Sequence, residues 1–211
     1  YLVFLPVRDV WHKQSKGKRL MQFAIHTMGR LAPEFVDAID KIDHAGYDCD
    51  YISEKYLLST NMINGMLQTA AGTRYKALVI PNNNNILTEA VRKHIEELKQ
   101  HGAQVIIGTD AAELSRSAKA EEMKSRLGLK LIRRSNDKGF HYFIANLTDK
   151  DMADDVKLAV PFKNAMWFDP MNGRRYRAQT ANGKVRIELR SGESMILQTF
   201  TNSDESLYDK N

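Results

Sequence analysis

Cysteine is almost missing from this 211-residue chain: Cys49 is the only one, so no disulfide forms within it and the redox compartment stays open. Long apolar runs are missing as well. No stretch approaches the roughly 20 residues that a membrane-spanning helix needs, so the sequence calls for no membrane partner. Charge of one sign is not in large excess either, with 31 Lys and Arg against 26 Asp and Glu, a formal +5. The positives sit in short clusters (Lys13, Lys16, Lys18, Arg19; Arg133, Arg134; Arg174, Arg175, Arg177). No nucleic-acid-binding motif accompanies them, so solvated loops are the plainer reading and nucleic acid is not an expected partner.

The usual chemical signatures are lacking too. Neither G-x-G-x-x-G nor G-x-x-x-x-G-K follows any candidate strand, which argues against both standard modes of nucleotide binding. No G-x-S-x-G or G-x-C-x-G elbow is present, so the nucleophile turn of hydrolases and amidotransferases is missing. His12, His26, His44, His94, His101 and His141 show no H-x-x-x-H or Cys–His spacing. No metal site and no cofactor are expected. Cys49, at the start of a short strand, reads as a packed and inert thiol.

What the chain does contain is alternation. Ala77–Ile80, closed by Pro81 and Asn82–Asn85, reads as a strand buried on both faces. A helix follows with Thr88 as N-cap and Leu87, Val91, Ile95 and Leu98 on one side; Glu89 and Lys93 are spaced as an i,i+4 pair. Gly102 stops it, and Val105–Ile107 is a second buried strand. Two such strands and one helix predict a parallel, right-handed βαβ unit.

Ahead of it, Leu2–Leu5 reads as a first strand ended by Pro6, and residues 7–17 as the loop leaving it. Met21–Met28 and the segment opening at Pro33 read as helices, 49–52 as a strand and Glu54–Leu58 as a helical turn. Asn64-Gly65 marks a hairpin. Residues 111–128 read as a helix in two parts, and Leu129–Ile132 as the last strand of the domain. The expected class is α/β: a flavodoxin-like domain with a mostly parallel sheet over residues 1–134. Residues 135–211 then change character. Short extended runs (140–145, 156–160, 165–168, 176–179, 185–189, 195–200) are separated by Asp-Pro, Asn-Gly and Ser-Gly turns. They predict an antiparallel meander or small sandwich, ending in the polar tail Thr201–Ser206. With no initiator Met and a strand under way at Leu2, the chain reads as a piece of a longer polypeptide.

In open α/β sheets ligands bind beyond the carboxyl ends of the strands. The residues expected there are Asp9, Trp11 and His12 after the first strand, Ser53 and Glu54 after the second, and Asn82, Asn83, Asn84 and Asp110 after the later two. A Trp beside Asn, Asp and His is a lining that suits a sugar ring, an apolar face with a hydrogen-bonding rim. Polar loop tips are, however, common to all such domains.

Six segments carry a resemblance: Tyr47–Ser53, Asn64–Leu67, Tyr75–Pro81, His141–Asn146, Trp167–Gly173 and Gly192–Leu197. In this order and spacing they resemble the region downstream of the catalytic barrel in α-L-rhamnosidases of glycoside hydrolase family 106. That region is similar in kind to the amidotransferase-like accessory domain of some β-galactosidases, followed by a β-sandwich module. The resemblance implies a secreted bacterial enzyme, periplasmic or extracellular, acting on plant-type polysaccharide. It also implies that this chain is a non-catalytic support. Its partners would be a catalytic barrel upstream, a β-sandwich downstream, a polysaccharide or oligosaccharide, and a second copy in a homo-oligomer. No catalytic residue is implied here, because the acid and base glutamates belong to the barrel. Two other readings stay open: a free-standing amidotransferase-like hydrolase with a divergent site, and an oligomerisation domain.

Overall fold

The computed structural model describes residues 1–14 and 25–202. The chain forms two compact units, Tyr1–Lys119 and Ala120 onward.

The first unit is built on β1 (Leu2–Phe4), β2 (Asp50–Ile52), β6 (Ala77–Ile80) and β7 (Gln104–Ile107). They pair in parallel in the order β2-β1-β6-β7, a flavodoxin-like arrangement. Apolar runs of three or four residues make the inner strands: every residue of β1 and β6 is buried. The chain steps from β1 to β2 in one direction and from β6 to β7 in the other. Right-handed crossovers therefore put the intervening helices on opposite faces.

In the first crossover lie α1 (Val7–Gln14), α2 (Met28–Leu31) and α3 (Pro33–His44). Pro33 opens α3 at a position where its missing N–H costs nothing, and Phe35, Ala38 and Ile42 form the buried stripe. In the second crossover α5 (Glu89–Gln100) buries Val91, Ile95 and Leu98, and the Thr88 hydroxyl accepts from the Val91 N–H at 3.4 Å. These side chains share a core with Leu57 of α4 (Glu54–Leu57) and with Leu67. Leu67 belongs to a small three-stranded sheet, β3 (Asn61–Ile63), β4 (Met66–Gln68) and β5 (Arg74–Tyr75). The β3–β4 hairpin turns through Asn64 and Gly65 with φ of 51° and 73°, as an Asn-Gly pair permits. A helix α6 (Ala111–Ser117) closes the unit.

The structure differs from the sequence reading at four places here. Residues 7–14 are helix, not loop: Val10 is fully buried and its N–H donates to the Pro6 carbonyl, so the pyrrolidine starts the helix instead of ending order. β7 is an edge strand, with Ile107 54% exposed, where the sequence predicts two buried faces. Lys93 pairs forward with Glu97 at 3.9 Å. Residues 21–24 of the expected helix at 21–28, and Lys16, Lys18 and Arg19, lie outside the described residues; Ile25–Thr27 is a single 3-10 turn leading into α2.

The second unit opens with α7 (Glu122–Ser125) and continues as β8 (Lys130–Asn136), β9 (Gly139–Ala145), β10 (Met152–Lys157), β11 (Asn164–Phe168), β12 (Arg175–Arg177), β13 (Thr180–Ala181), β14 (Lys184–Leu189) and β15 (Ser194–Phe200). Antiparallel pairing gives one five-stranded sheet, β12-β11-β15-β9-β8, and one three-stranded sheet, β10-β14-β13. Tyr142, Ile144, Trp167 and Leu197 of the first share one core with Val156, Val185, Ile187 and Leu189 of the second. The module is therefore a sandwich and not a single meander. Residues 130–132 of the run at 129–132, read as the last strand of the parallel sheet, belong to β8. It pairs antiparallel with β9 across the turn Asp137-Lys138, so the boundary placed after residue 134 falls inside a strand of the second unit. A short apolar run looks the same in either kind of sheet, and the turn after it decided the pairing. The tail from residue 203 onward lies outside the described residues.

Candidate functional site

The carboxyl edge of the parallel sheet is where the candidate residues meet. α1 and α4 follow β1 and β2 after one- or two-residue links, and the Pro81–Leu87 loop follows β6. Asp9 is buried in the first turn of α1, where both carboxylate oxygens accept the Ile86 N–H, each at 3.2 Å. This ties the helix to the loop. The asparagine loop is also internally bonded. The Asn82 N–H donates to Asn85 Oδ1 and the Asn84 N–H to Asn82 Oδ1, both at 2.9 Å. Asn83 and Asn84 remain exposed while Asn85 is buried.

Glu54 is the hub of the same edge. Its carboxylate accepts from Arg8 Nε at 2.5 Å, Arg8 Nη2 at 3.1 Å and the Thr88 hydroxyl at 2.7 Å. The Arg8 guanidinium foremost, with help from Thr88, holds the Glu54 carboxyl below the usual range. Such a carboxylate is ionised at neutral pH, the wrong state for a general acid. Ser53 occupies the N-cap position of α4 without a capping bond from its side chain. Asp110 is an N-cap, accepting the Glu113 N–H at 3.0 Å.

Trp11 and His12 lie elsewhere on α1. Residues two apart on a helix point roughly 200° apart, so Trp11 turns outward, 39% exposed, while Asp9 turns in. The edge thus brings together Asp9, Glu54 and the Asn loop, and it separates Asp9 from Trp11. The sequence reading does not place Arg8 or Thr88 in the crevice. Arg8 gives no local signal, since its partner lies 46 positions away.

Cys49 is half-buried just ahead of β2. His94 on α5 is half-buried, with Nε2 2.9 Å from the Thr60 carbonyl oxygen. Among the described residues no group of three His, Cys, Asp or Glu could hold a metal ion, and no helix is long and apolar enough to cross a membrane.

The sandwich holds a second polar centre that sequence reasoning misses. Glu121 is 1% exposed. Its Oε1 accepts from Arg133 Nη1 at 2.5 Å and from the Tyr142 hydroxyl at 2.9 Å, and its Oε2 from the Ala159 N–H at 3.0 Å. Burial raises the Glu121 carboxyl and outweighs these donors; burial likewise pushes the Tyr142 phenol up. The one signal in the sequence is Arg133, which reads there as a member of a surface cluster.

No protein-family model matches the chain. Over 92 residues, 44% of this chain, it is 32% identical to a Formosa agariphila protein that bears the name "Putative beta-glucuronidase". The solved structure of a rhamnosidase from Novosphingobium sp. PP1Y matches 75% of this chain with a TM-score of 0.57 and 15% identity, a likeness of fold. The chain spans 8% of the first protein and 20% of the second. It is similar to a small part of large glycoside-hydrolase-type proteins.

Proposed function

We propose that this chain is a non-catalytic accessory region of an α-L-rhamnosidase-like glycoside hydrolase, secreted or periplasmic, that acts on plant-type polysaccharide. In this reading it braces a catalytic barrel carried elsewhere in a longer polypeptide. The observation that carries it is the state of the carboxylates at the sheet edge. Asp9 is spent on Ile86, Glu54 on Arg8 and Thr88, and Asp110 on Glu113. Glycoside hydrolysis needs one carboxyl held protonated and a second free to act as base or nucleophile. The exposed groups of this edge, Asn83 and Asn84, are the ones open to a sugar, while Asp9 and Glu54 hold the edge together.

Hydrolysis of an aryl α-L-rhamnoside by the 211-residue chain, beside a longer polypeptide containing it, tests the reading. Activity in the longer chain alone is the expected result. Activity in the short chain that disappears in Glu54→Gln or Asp9→Asn would overturn it and favour the free-standing hydrolase.

One observation favours a second reading, oligomerisation. β7 leaves an open sheet edge with Ile107 half exposed, and such edges invite pairing. Light scattering at high concentration decides: a clean monomer removes this reading.

A further inference from the structure

β10 forms one edge of the three-stranded sheet and the two-residue β13 the other, so of the two β10 is the edge long enough to template a further strand. Alternate residues of a strand turn their N–H groups to the same side. On the side of β10 away from β14 these groups belong to Asp155, Lys157 and, just past the strand, Ala159. Each one ends on a carboxylate. The Asp155 N–H donates to Asp154 Oδ1 at 2.7 Å, the Lys157 N–H to Glu122 Oε2 at 2.9 Å and the Ala159 N–H to Glu121 Oε2 at 3.0 Å. The Asp155 carbonyl accepts from Arg126 Nη1 at 3.4 Å. The same guanidinium reaches Glu122 at 2.7 Å and Asp154 at 2.5 Å. Met123, fully buried in the sandwich core, anchors the helical turn. α7 and its two flanking residues thus supply, with side chains, hydrogen bonds that a neighbouring strand would make.

The edge so covered is complementary to itself. Ala153, Asp155 and Lys157 lie on the exposed face of β10, and Val156 lies in the core. With Val156 on a two-fold axis, an antiparallel second β10 sets its Lys157 opposite Asp155. The outward N–H and C=O groups of both residues then pair. The charges agree with this register. Lys157 stands beside Lys184 of β14, while Asp155 stands beside Arg186 at 3.8 Å. Like charges side by side on a sheet repel, and Glu122 now supplies the counter-charge to Lys157. In the paired form the second copy's Asp155 takes that place.

We propose that α7 is a guard on this edge. While seated it blocks strand addition, and when it swings off, β10 pairs with β10 of a second copy of the chain. This edge belongs to the sandwich and is separate from β7 of the first unit.

The test compares two forms of the 211-residue chain. The parent carries Ile107→Lys, which charges the β7 edge and keeps pairing there out of the comparison. The second form carries Glu122→Ala and Arg126→Ala as well. Both of these side chains are partly exposed, and a melting curve checks that the fold is kept. In the parent, the Lys157 amide should exchange with solvent at least about a hundredfold more slowly than in an unfolded chain. In the second form it should exchange at least about tenfold faster than in the parent, because losing a hydrogen bond to a charged group makes opening about tenfold more frequent. Sedimentation velocity should then show dimers at concentrations where the parent is monomeric. Adding Lys157→Pro, which removes an outward N–H and leaves the β14 ladder intact, should restore the monomer. Exchange at Lys157 in the parent as fast as in an unfolded chain would overturn the proposal, and that result stands even where the second form fails to fold. Faster exchange without dimers would overturn it too, as would a dimer that survives Lys157→Pro.

Discussion

Asp9 and Ile86 are joined by one N–H shared between two carboxylate oxygens at equal distances of 3.2 Å. They lie 77 positions apart, at the point where the strand order of the parallel sheet reverses. In many folds of this kind the crevice at that point stays open for a ligand. Here a buried side chain links α1 to the β6–α5 loop across it.

Replacing Asp9 with Ala should therefore cost stability, because it leaves the Ile86 N–H without its acceptor. The expected loss is roughly 1–3 kcal/mol, read from urea unfolding. A change below a few tenths would mean that water replaces the carboxylate without penalty, and that the link is incidental.

Glu54 gives a prediction with a direction in pH. Its folded-state carboxyl is lowered, first by Arg8, so its contribution is present above the ordinary Glu value and is lost as pH falls through the lowered one. Wild type and Glu54→Gln should differ in stability at neutral pH and converge on acidification below about pH 4. Parallel stability curves across that window would show that the Arg8–Glu54 pair adds nothing.

Glu121 behaves with the opposite sign. Burial raises its folded-state value, so the folded form binds the proton more tightly and the group's contribution declines as pH rises from the ordinary Glu value through the raised one. Arg133→Met removes the cation that offsets the buried charge and should cost on the order of 3 kcal/mol at neutral pH. Because protonation relieves the uncompensated carboxylate, the penalty should shrink as pH falls toward about 4.3. A penalty independent of pH would place it in lost packing of the arginine stem.

Gly139 lies where two strands approach too closely for any side chain. A Cβ there would run into the Thr199 carbonyl oxygen and sit 2.8 Å from its carbon, both backbone atoms of β15. Gly139→Ala should cost about 3 kcal/mol, the upper end of ordinary overpacking. Thermal unfolding measures this, and a wild-type melting temperature would show that the β9–β15 pair shifts freely.

The amino-acid order alone determined the βαβ unit, because burial on both faces makes β6 a continuous apolar run, and periodicity with a Thr cap makes α5 a helix. It determined the Asn64-Gly65 hairpin and the extended run at 185–189 for the same reason: each is a local pattern in backbone preference and side-chain type. The candidate site was legible only as a place, the loops beyond the strands. Whether Asp9 and Glu54 face a ligand or face Ile86, Arg8 and Thr88 depends on contacts 77, 46 and 34 positions apart in sequence. The tertiary structure alone also assigned β8 to the sandwich and buried Glu121 against Arg133. A short strand and a charged residue carry no mark of their partners; that choice belongs to packing, where the cost of an unpaired polar group or an unmatched strand edge is set by everything that surrounds it.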